Sequence, residues 1–268
     1  MSGHVFDAAI ALTPAGEDTW EGRTHPEYMN FIGPYGGVTA AQALNAVLLH
    51  PRRAGEPAAL TVNFAAALAD GPFVARTRLA RSNRSTQHWI VELLQQGDTV
   101  VTATVLTAQR RETWSAQEAR MPDVPRPDSL PDEPALPVAW LAHYQRRYVE
   151  GNVPQRWEGQ DAGHSRTRLW LRERPQRPLD FASLTAMSDT FFPRIWMRRA
   201  TQTPLGTVSM TVYFHAGPAQ LAATGTGFLL GQVQGQGCRA GYFDHTAQVW
   251  NEAGVLLATS HQLYYFKE

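Results

Sequence analysis

One acid stands in the middle of an apolar run. Asp189 lies in FASLTAMSDTFFPRIW, residues 181–196, a stretch that reads as a helix. A carboxylate there is costly to bury unless something pairs with it or uses it. Such a group can take a proton from water as a general base, or attack an electrophile itself. A second feature is GPYGGV, with Gly33, Pro34, Gly36 and Gly37 ahead of an Ala- and Leu-rich segment. Glycines at a helix start leave N–H groups open at the positive end of the helix dipole, where an oxyanion or phosphate can sit. The same residues also suit a plain tight turn into a packed helix.

Other reactive residues are less organised. Cys238 in GQGCRAG has Arg239 beside it, which could lower a thiol pKa, but a turn or strand-edge thiol explains it equally. Ser85 lacks a nucleophile-elbow context. The nine histidines are dispersed without metal-ligand spacing; His215 and His25 are the two placed where they could lie near a ligand. Arg76, Arg78, Arg81 and Arg84 cluster, with Arg76 and Arg78 on one strand face. They read either as a solvated outer face or as a grip on phosphates, for which the guanidinium fork is suited.

The elements that must position these groups follow from composition and pattern. The chain has 268 residues, 43% of them hydrophobic, enough for one large domain or two ordinary ones. Twenty-four basic and 24 acidic residues cancel, so nothing points to a general nucleic-acid or anionic-membrane binder. A single cysteine rules out an intrachain disulfide and favours a reducing compartment. No apolar run is long enough to span a membrane, and the N-terminal stretch lacks a secretory signal, so a cytoplasmic protein is expected.

Residues 4–12 and 19–24 read as two strands across a turn at Pro14 to Gly16. Val38 to Leu49 reads as a helix. Strands are expected at 60–68, 72–82, 86–96 and 99–110, as a four-strand antiparallel meander with a turn at Gly97-Asp98. Six prolines from Pro122 to Pro137 then mark an extended tether. The same order returns beyond it: two strands, the helix carrying Asp189, and four strands at 208–216, 226–235, 241–251 and 255–266. Local matches such as VNFAAAL beside VYFHAGP support an internal repeat. The division expected is 1–110, a tether at 111–138, and 139–268.

An antiparallel sheet curled round one central helix is the hotdog fold, and three blocks resemble the acyl-CoA thioesterase II (TesB-like) family, which carries two hotdogs in one chain. They are GPYGGVTAAQAL, TVSMTVYFH and GVLLATSHQLYYF. In the second, Ser209-Met210 stand where the family has Asp-His. The resemblance implies an α+β double hotdog, two antiparallel sheets each wrapped round a central helix and fused in one chain. It also implies a site made of an Asp on the second central helix, a Thr at the start of the next strand and a Gln on the last strand. Carried over one by one, these fall on Asp189, Thr207 and Gln262.

The repeat offers a check independent of the family. It sets Asp189 against Ala43, Thr207 against Pro57, and Gln262 against Val105 or Leu106. All three polar positions are non-polar in the first copy, as expected if one of two ancestral sites survives. The expected chemistry is hydrolysis of an acyl-CoA thioester. Asp189 activates a water held by Thr207 and Gln262, or alternatively attacks to form an anhydride. Backbone N–H groups near Gly36 and Gly37 are candidates to hold the oxyanion. Arg81, Asn83 and Arg84 are candidates to bind the nucleotide of coenzyme A, because in this fold class the region after the third strand often lies near it. No cofactor is expected beyond the coenzyme A of the substrate, and no nucleic-acid or membrane partner; a homodimer is one expectation. The competing expectations are a non-catalytic acyl-CoA or lipid-binding protein of the same fold, and a hotdog hydratase or dehydratase. The second normally needs an Asp-His pair, which is not found beside the helix.

Overall fold

A computed structural model describes residues 3–134 and 137–268; Ala135 and Leu136 of the expected tether, and Met1 and Ser2, lie outside the described residues. In chain order the helices are α1 (Val5–Ala9), α2 (Gly36–Leu48), α3 (Phe181–Met187), α4 (Ile195–Arg198) and α5 (Pro218–Thr224). The strands of the first half are β1 (Leu12–Gly16), β2 (Thr19–Arg23), β3 (Glu56–Phe64), β4 (Pro72–Ser82), β5 (Thr86–Gln95) and β6 (Asp98–Ala108). Those of the second are β7 (Tyr144–Glu150), β8 (Thr167–Glu173), β9 (Leu205–Phe214), β10 (Leu229–Gln234), β11 (Cys238–Arg239), β12 (Tyr242–Asn251) and β13 (Leu256–Phe266). All form one antiparallel sheet in the order β1-β2-β4-β5-β6-β3-β9-β13-β12-β10-β8-β7, with β11 attached to β12.

The order is palindromic about the β3–β9 seam. There Thr61 faces Thr211, and their hydroxyls lie 3.0 Å apart. Leu60 pairs with Val212 and Val62 with Met210, so the register is two-fold about the threonine pair. This is the α+β double hotdog, with the two sheets running together as one.

Two central helices fill the inside. Nearly every residue of α2 from Gly37 to Val47 is buried, which suits its run of alanines: small side chains let two backbones approach. Its amide side chains tie it to the N-terminal segment. Gln42 Nε2 donates to Ala9 O (2.7 Å) and Arg23 O (3.1 Å), and Asn45 Nδ2 to Ile10 O (2.8 Å). Leu44 and Leu184 are wholly buried, each burial favourable by roughly 1.5–3 kcal/mol. α3 starts on a capping box: Asp180 accepts from Ser183 N (2.8 Å), and Ser183 Oγ accepts from Asp180 N (3.1 Å). Arg177 holds that cap, reaching Asp180 at 2.5 Å and Asp7 at 2.7 Å.

Several elements differ from expectation. The helix expected over 181–196 ends at Met187. Thr190 Oγ1 turns back onto Met187 O (2.9 Å), and Pro193 disfavours helical backbone at Phe192. Residues 5–9 form a helix and not a strand, because the His4 ring caps the Phe6 N–H (3.1 Å); five residues carry too little periodicity to tell the two apart. Pro14 to Gly16 belong to β1. The β5–β6 turn sits at Gln96-Gly97, both at positive φ (56° and 93°), as a tight hairpin demands. The meander has three strands, since β3 leaves β4 and pairs with β6 and β9.

Beyond β6 the extended segment runs over the outer face of the second half. Ala119, Met121, Val124 and Leu130 pack on a cluster of Trp170, Phe228, Leu230 and Trp250. Gln117 donates to Gly254 O (2.9 Å) and Trp170 Nε1 to Pro125 O (2.9 Å). Among the described residues, no helix is long and apolar enough to cross a membrane.

Candidate active site

Asp189 stands two residues past α3, in the turn that closes it. Asp189 N donates to Ala186 O (3.0 Å) and Ser188 N to Leu184 O (3.0 Å). The short helix must satisfy its last carbonyls, and the buried Tyr35 helps: its hydroxyl donates to Ala186 O at 2.5 Å. Tyr35 is also the N-cap of α2 and stacks on Trp140 at 4.0 Å. One aromatic residue therefore joins the start of one central helix to the end of the other.

The glycines of the first half face the acid of the second. A Cβ on Gly36 would stand 2.9 Å from Asp189 Oδ2, and one on Gly37 would stand 2.7 Å from Ala186 O. Neither glycine has a positive φ, so what they supply is room. Asp189 keeps a partial opening to solvent while its carboxyl is walled by buried groups. Burial pushes that carboxyl up to about 7, against hydrogen bonds from the Gln262 side chain and the Gly37 N–H, which favour the charged form. The α2 N-terminus thus faces a carboxylate in this structure.

β13 and β9 supply the other side. Gln262 is 1% exposed and pairs with Met210; its Nε2 donates to Ser188 O at 3.4 Å. A β-bulge at Leu263/Tyr264 sets Tyr264 opposite Thr207. Bulges re-aim side chains near functional sites. Here the Tyr264 hydroxyl donates to Gln262 Oε1 and lies within hydrogen-bonding reach of Thr207. The sequence predicts a water held between Thr207 and Gln262; in the structure the Tyr264 hydroxyl contacts Gln262, and Thr207 lies opposite Tyr264 across the ladder. Tyr264 escaped that reading, although Gln262 and Tyr264 are two apart on one strand and so share a face.

Behind Gln262 lies His245, its cross-strand partner, wholly buried with both ring nitrogens unpartnered. Burial holds it neutral, with the nearby Arg194 adding to the effect. Arg194 is buried as well, and donates to Phe192 O (2.8 Å), Ser165 O (3.2 Å) and Thr167 Oγ1 (2.6 Å). Burial lowers its pKa to about 10, which leaves it charged near neutrality. Phe191 packs beside His245 at 6.2 Å.

Asp189, Thr207, Gln262, Gly36 and Gly37 are therefore brought together. Arg81, Asn83 and Arg84 are not. They lie exposed on the β4–β5 turn, with Arg81 Nε donating to Asn83 Oδ1 (3.1 Å). Thr86, at that turn, pairs with Ala108, which faces Glu56 at the start of β3; Phe64, at the far end, touches the Gly36 corner. The two ends of β3 are roughly 26 Å apart at the usual strand rise. His215 is likewise at the end of β9 away from Thr207, bonded to Thr259 (3.0 Å). Cys238 is exposed on β11, and partial burial raises its pKa where the sequence reading had Arg239 lowering it. His25 lines a cleft of about 620 Å³ with Arg23 and Arg76, and a second cleft of about 450 Å³ lies among glutamines on the outer face; neither contains Asp189. Among the described residues no cluster of three or more His, Cys, Asp or Glu side chains is placed to hold a metal ion.

The sheet register settles the comparison between halves. Leu60 pairs with Val105 as its two-fold mate Met210 pairs with Gln262. Pro57 pairs with Thr107 as Thr207 pairs with Tyr264, and both pairs sit at a bulge. Gln262 therefore corresponds to Val105 and Thr207 to Pro57, so the first copy lacks both polar groups.

Two family models match the chain: the acyl-CoA thioesterase C-terminal domain over residues 120–266 and the acyl-CoA thioesterase N-terminal domain over residues 25–108. Among solved structures, a protein of unknown function with a hot dog fold from Alicyclobacillus acidocaldarius is 43% identical, with TM-score 0.94, covering 100% of this chain and 99% of that one. An acyl-CoA thioesterase II from Mycobacterium marinum is 19% identical, with TM-score 0.77, covering 98% of each chain. A TesB protein from Mycobacterium avium subspecies paratuberculosis is 18% identical, with TM-score 0.79, also covering 98% of each. The last two likenesses concern the fold. No curated protein matches.

Proposed function

The chain belongs to the acyl-CoA thioesterase family, and on that premise we propose that it hydrolyses an acyl-CoA to a carboxylic acid and free coenzyme A, with Asp189 as general base. The observation that carries this reading is the place of Asp189, at the junction of both central helices against Gly36; desolvation there pushes its carboxyl up to about 7. A base is most effective when its pKa lies near the working pH.

In this reading a water beside Asp189 gives a proton to the carboxylate as its oxygen attacks the thioester carbonyl carbon. The carbonyl oxygen becomes anionic and is met by N–H groups of the first turn of α2 other than that of Gly37, which faces Asp189; these have no intrahelical acceptor. When the tetrahedral intermediate collapses, the C–S bond breaks, and the leaving thiolate takes up the proton that Asp189 accepted, which restores the carboxylate. Gln262 keeps the carboxylate oriented, and Thr207 acts from the far side of Tyr264. Water attack suits an acid ringed by uncharged hydrogen-bonding groups better than anhydride formation does. Residues 1–110 and 139–268 are the two hotdog units in this account, with 111–138 the tether. A place in cytoplasmic acyl metabolism is part of the same proposal.

The test is a thiol-release assay over acyl-CoAs of varied length, branching and aromatic character, with the acid product identified. Release of thiol with a matching free acid supports the reading. Binding of acyl-CoA without release from any of them points to a non-catalytic binding protein. Formation of a β-hydroxy or enoyl product points to a hydratase.

A further inference from the structure

A glutamine amide beside a carboxylate has two orientations of nearly equal shape and opposite effect. With Nε2 toward Asp189 it donates to the carboxylate; with Oε1 there it repels the charge. What selects one orientation has to bond the other end of the amide. Ser188 O, at 3.4 Å from Nε2, is a weak guide. The stronger contact is the Tyr264 hydroxyl, which donates to Gln262 Oε1.

We propose that Tyr264 is a positioning residue for the hydrolysis described above: its hydroxyl locks the Gln262 amide with Nε2 toward Asp189, and the Thr207 hydroxyl sets the direction in which Tyr264 donates. The inference rests on that reading of the site. A tyrosine hydroxyl can donate to Oε1 or accept from Nε2, so it selects an orientation only if its own proton is directed. Thr207 is its cross-strand partner on β9, and a threonine hydroxyl there can donate to it. The chain Thr207 to Tyr264 to Gln262 to Asp189 is then polarised in one direction, and each bond strengthens the next.

The ring is held for this task. Tyr264 is 4% exposed, stacks on Phe243 at 4.7 Å with planes 2° apart, and lies 5.3 Å from the His245 ring. The bulge there, whose extra residue is Val208 on β9, brings Thr207 opposite it. In the first half the equivalent pair is Pro57 and Thr107; proline has no hydroxyl to offer, and Thr107 Oγ1 donates to Ala54 O (2.8 Å). The titratable groups facing Asp189 are Tyr35 at the start of α2, Tyr144 on β7 and Tyr264 on β13. Burial raises all three well above the usual tyrosine range, so they stay neutral near pH 7. Arg194 and the neutral His245 face Tyr264 from its other side.

The experiment compares wild type, Tyr264→Phe, Gln262→Ala and the double variant. It has two readouts: thiol release from an acyl-CoA as a function of pH, and the protonation midpoint of Asp189 from its carboxyl infrared band, assigned with Asp189→Asn. Tyr264→Phe keeps the ring, and thermal melting monitors its fold. The expected result is a kcat lower by about tenfold at unchanged KM, and a midpoint raised by about half a pH unit in both readouts, because the carboxylate loses a directed donor. In the Gln262→Ala background the added Tyr264→Phe changes kcat by less than about twofold, since the hydroxyl acts through Gln262. A wild-type kcat and midpoint in Tyr264→Phe, or a full multiplicative loss in the double variant, overturns the proposal. If wild type releases no thiol, the hydrolase reading fails on its own. The infrared midpoint then still decides the role of Tyr264: a rise in Tyr264→Phe upholds it, and no rise overturns it.

Discussion

A side chain at Gly36 would collide with Asp189: its Cβ would stand 2.9 Å from Asp189 Oδ2, across the boundary between the two halves of the chain. The two residues are 153 positions apart in sequence, yet each limits what the other can be. Gly36→Ala is predicted to displace the carboxylate and lower thiol release by at least about tenfold, the scale of a misplaced general base. The melting temperature should hardly change, because the backbone at Gly36 is one that alanine adopts without strain. Activity and melting measured together check this. Full activity in Gly36→Ala would remove Asp189 from the site.

Gly37→Ala should behave differently. Its Cβ would meet Ala186 O at 2.7 Å and the Tyr35 ring at 2.6 Å, so the obstacle includes backbone. The two central helices must move apart. The expected cost is about 1–3 kcal/mol of stability, read by denaturant unfolding, with activity lost alongside.

The acid at the site ties activity and stability to pH in opposite directions. Thiol release should rise through about pH 7 as Asp189 deprotonates. Stability should fall over the same range. The folded group holds its proton up to about 7, whereas the unfolded one releases it near the ordinary carboxyl value of 3.8, so unfolding releases a proton between those limits. Asp189→Asn is therefore predicted to melt a few degrees higher than wild type at pH 8, with the margin closing toward pH 4.

Glu173 is the control for that argument. It is buried, both carboxyl oxygens lack a partner, and burial pushes its pKa up to about 8. Its stability contribution falls as pH rises from the ordinary glutamate value of 4.5 toward 8. Glu173→Gln should raise the melting temperature at pH 8 as Asp189→Asn does, while leaving the pH midpoint of thiol release where it was. A shifted activity midpoint would tie Glu173 to the catalytic acid.

Arg81 and Arg84 test the coenzyme-binding reading. They are exposed on a turn at the end of the sheet away from Asp189. Replacing both by alanine is predicted to leave kcat and KM within about twofold, as for solvated surface charges. A KM raised tenfold or more at constant kcat would put the nucleotide of the substrate on that turn.

Much of this site can be read in the sequence, for physical reasons that differ from residue to residue. Asp189 stands out because an acid in an apolar run needs a use. Gly36 and Gly37 stand out because glycine leaves space ahead of a helix. The palindromic sheet follows from a repeat of strands around an Ala-rich helix. What the sequence hid depends on close tertiary geometry. The true end of α3 at Met187 comes from hydroxyls turning back onto the helix and from Pro193, beneath an unbroken apolar pattern. The helix at Val5–Ala9 depends on one histidine cap. Tyr264 looked like one more aromatic on a strand, and only the bulge and the cross-strand pairing with Thr207 give it a place in the site. Arg81, Asn83 and Arg84 have the right chemistry for a phosphate, but the hairpin carries them to the end of the sheet away from Asp189.

The most direct test of the account is thiol release by wild type and Asp189→Asn on the best acyl-CoA substrate, each at saturating substrate and pH 8. The account predicts hydrolysis by wild type and a loss on the order of 10²-fold or more in the variant, with the variant folded and at least as stable. Equal rates for the two proteins would contradict it.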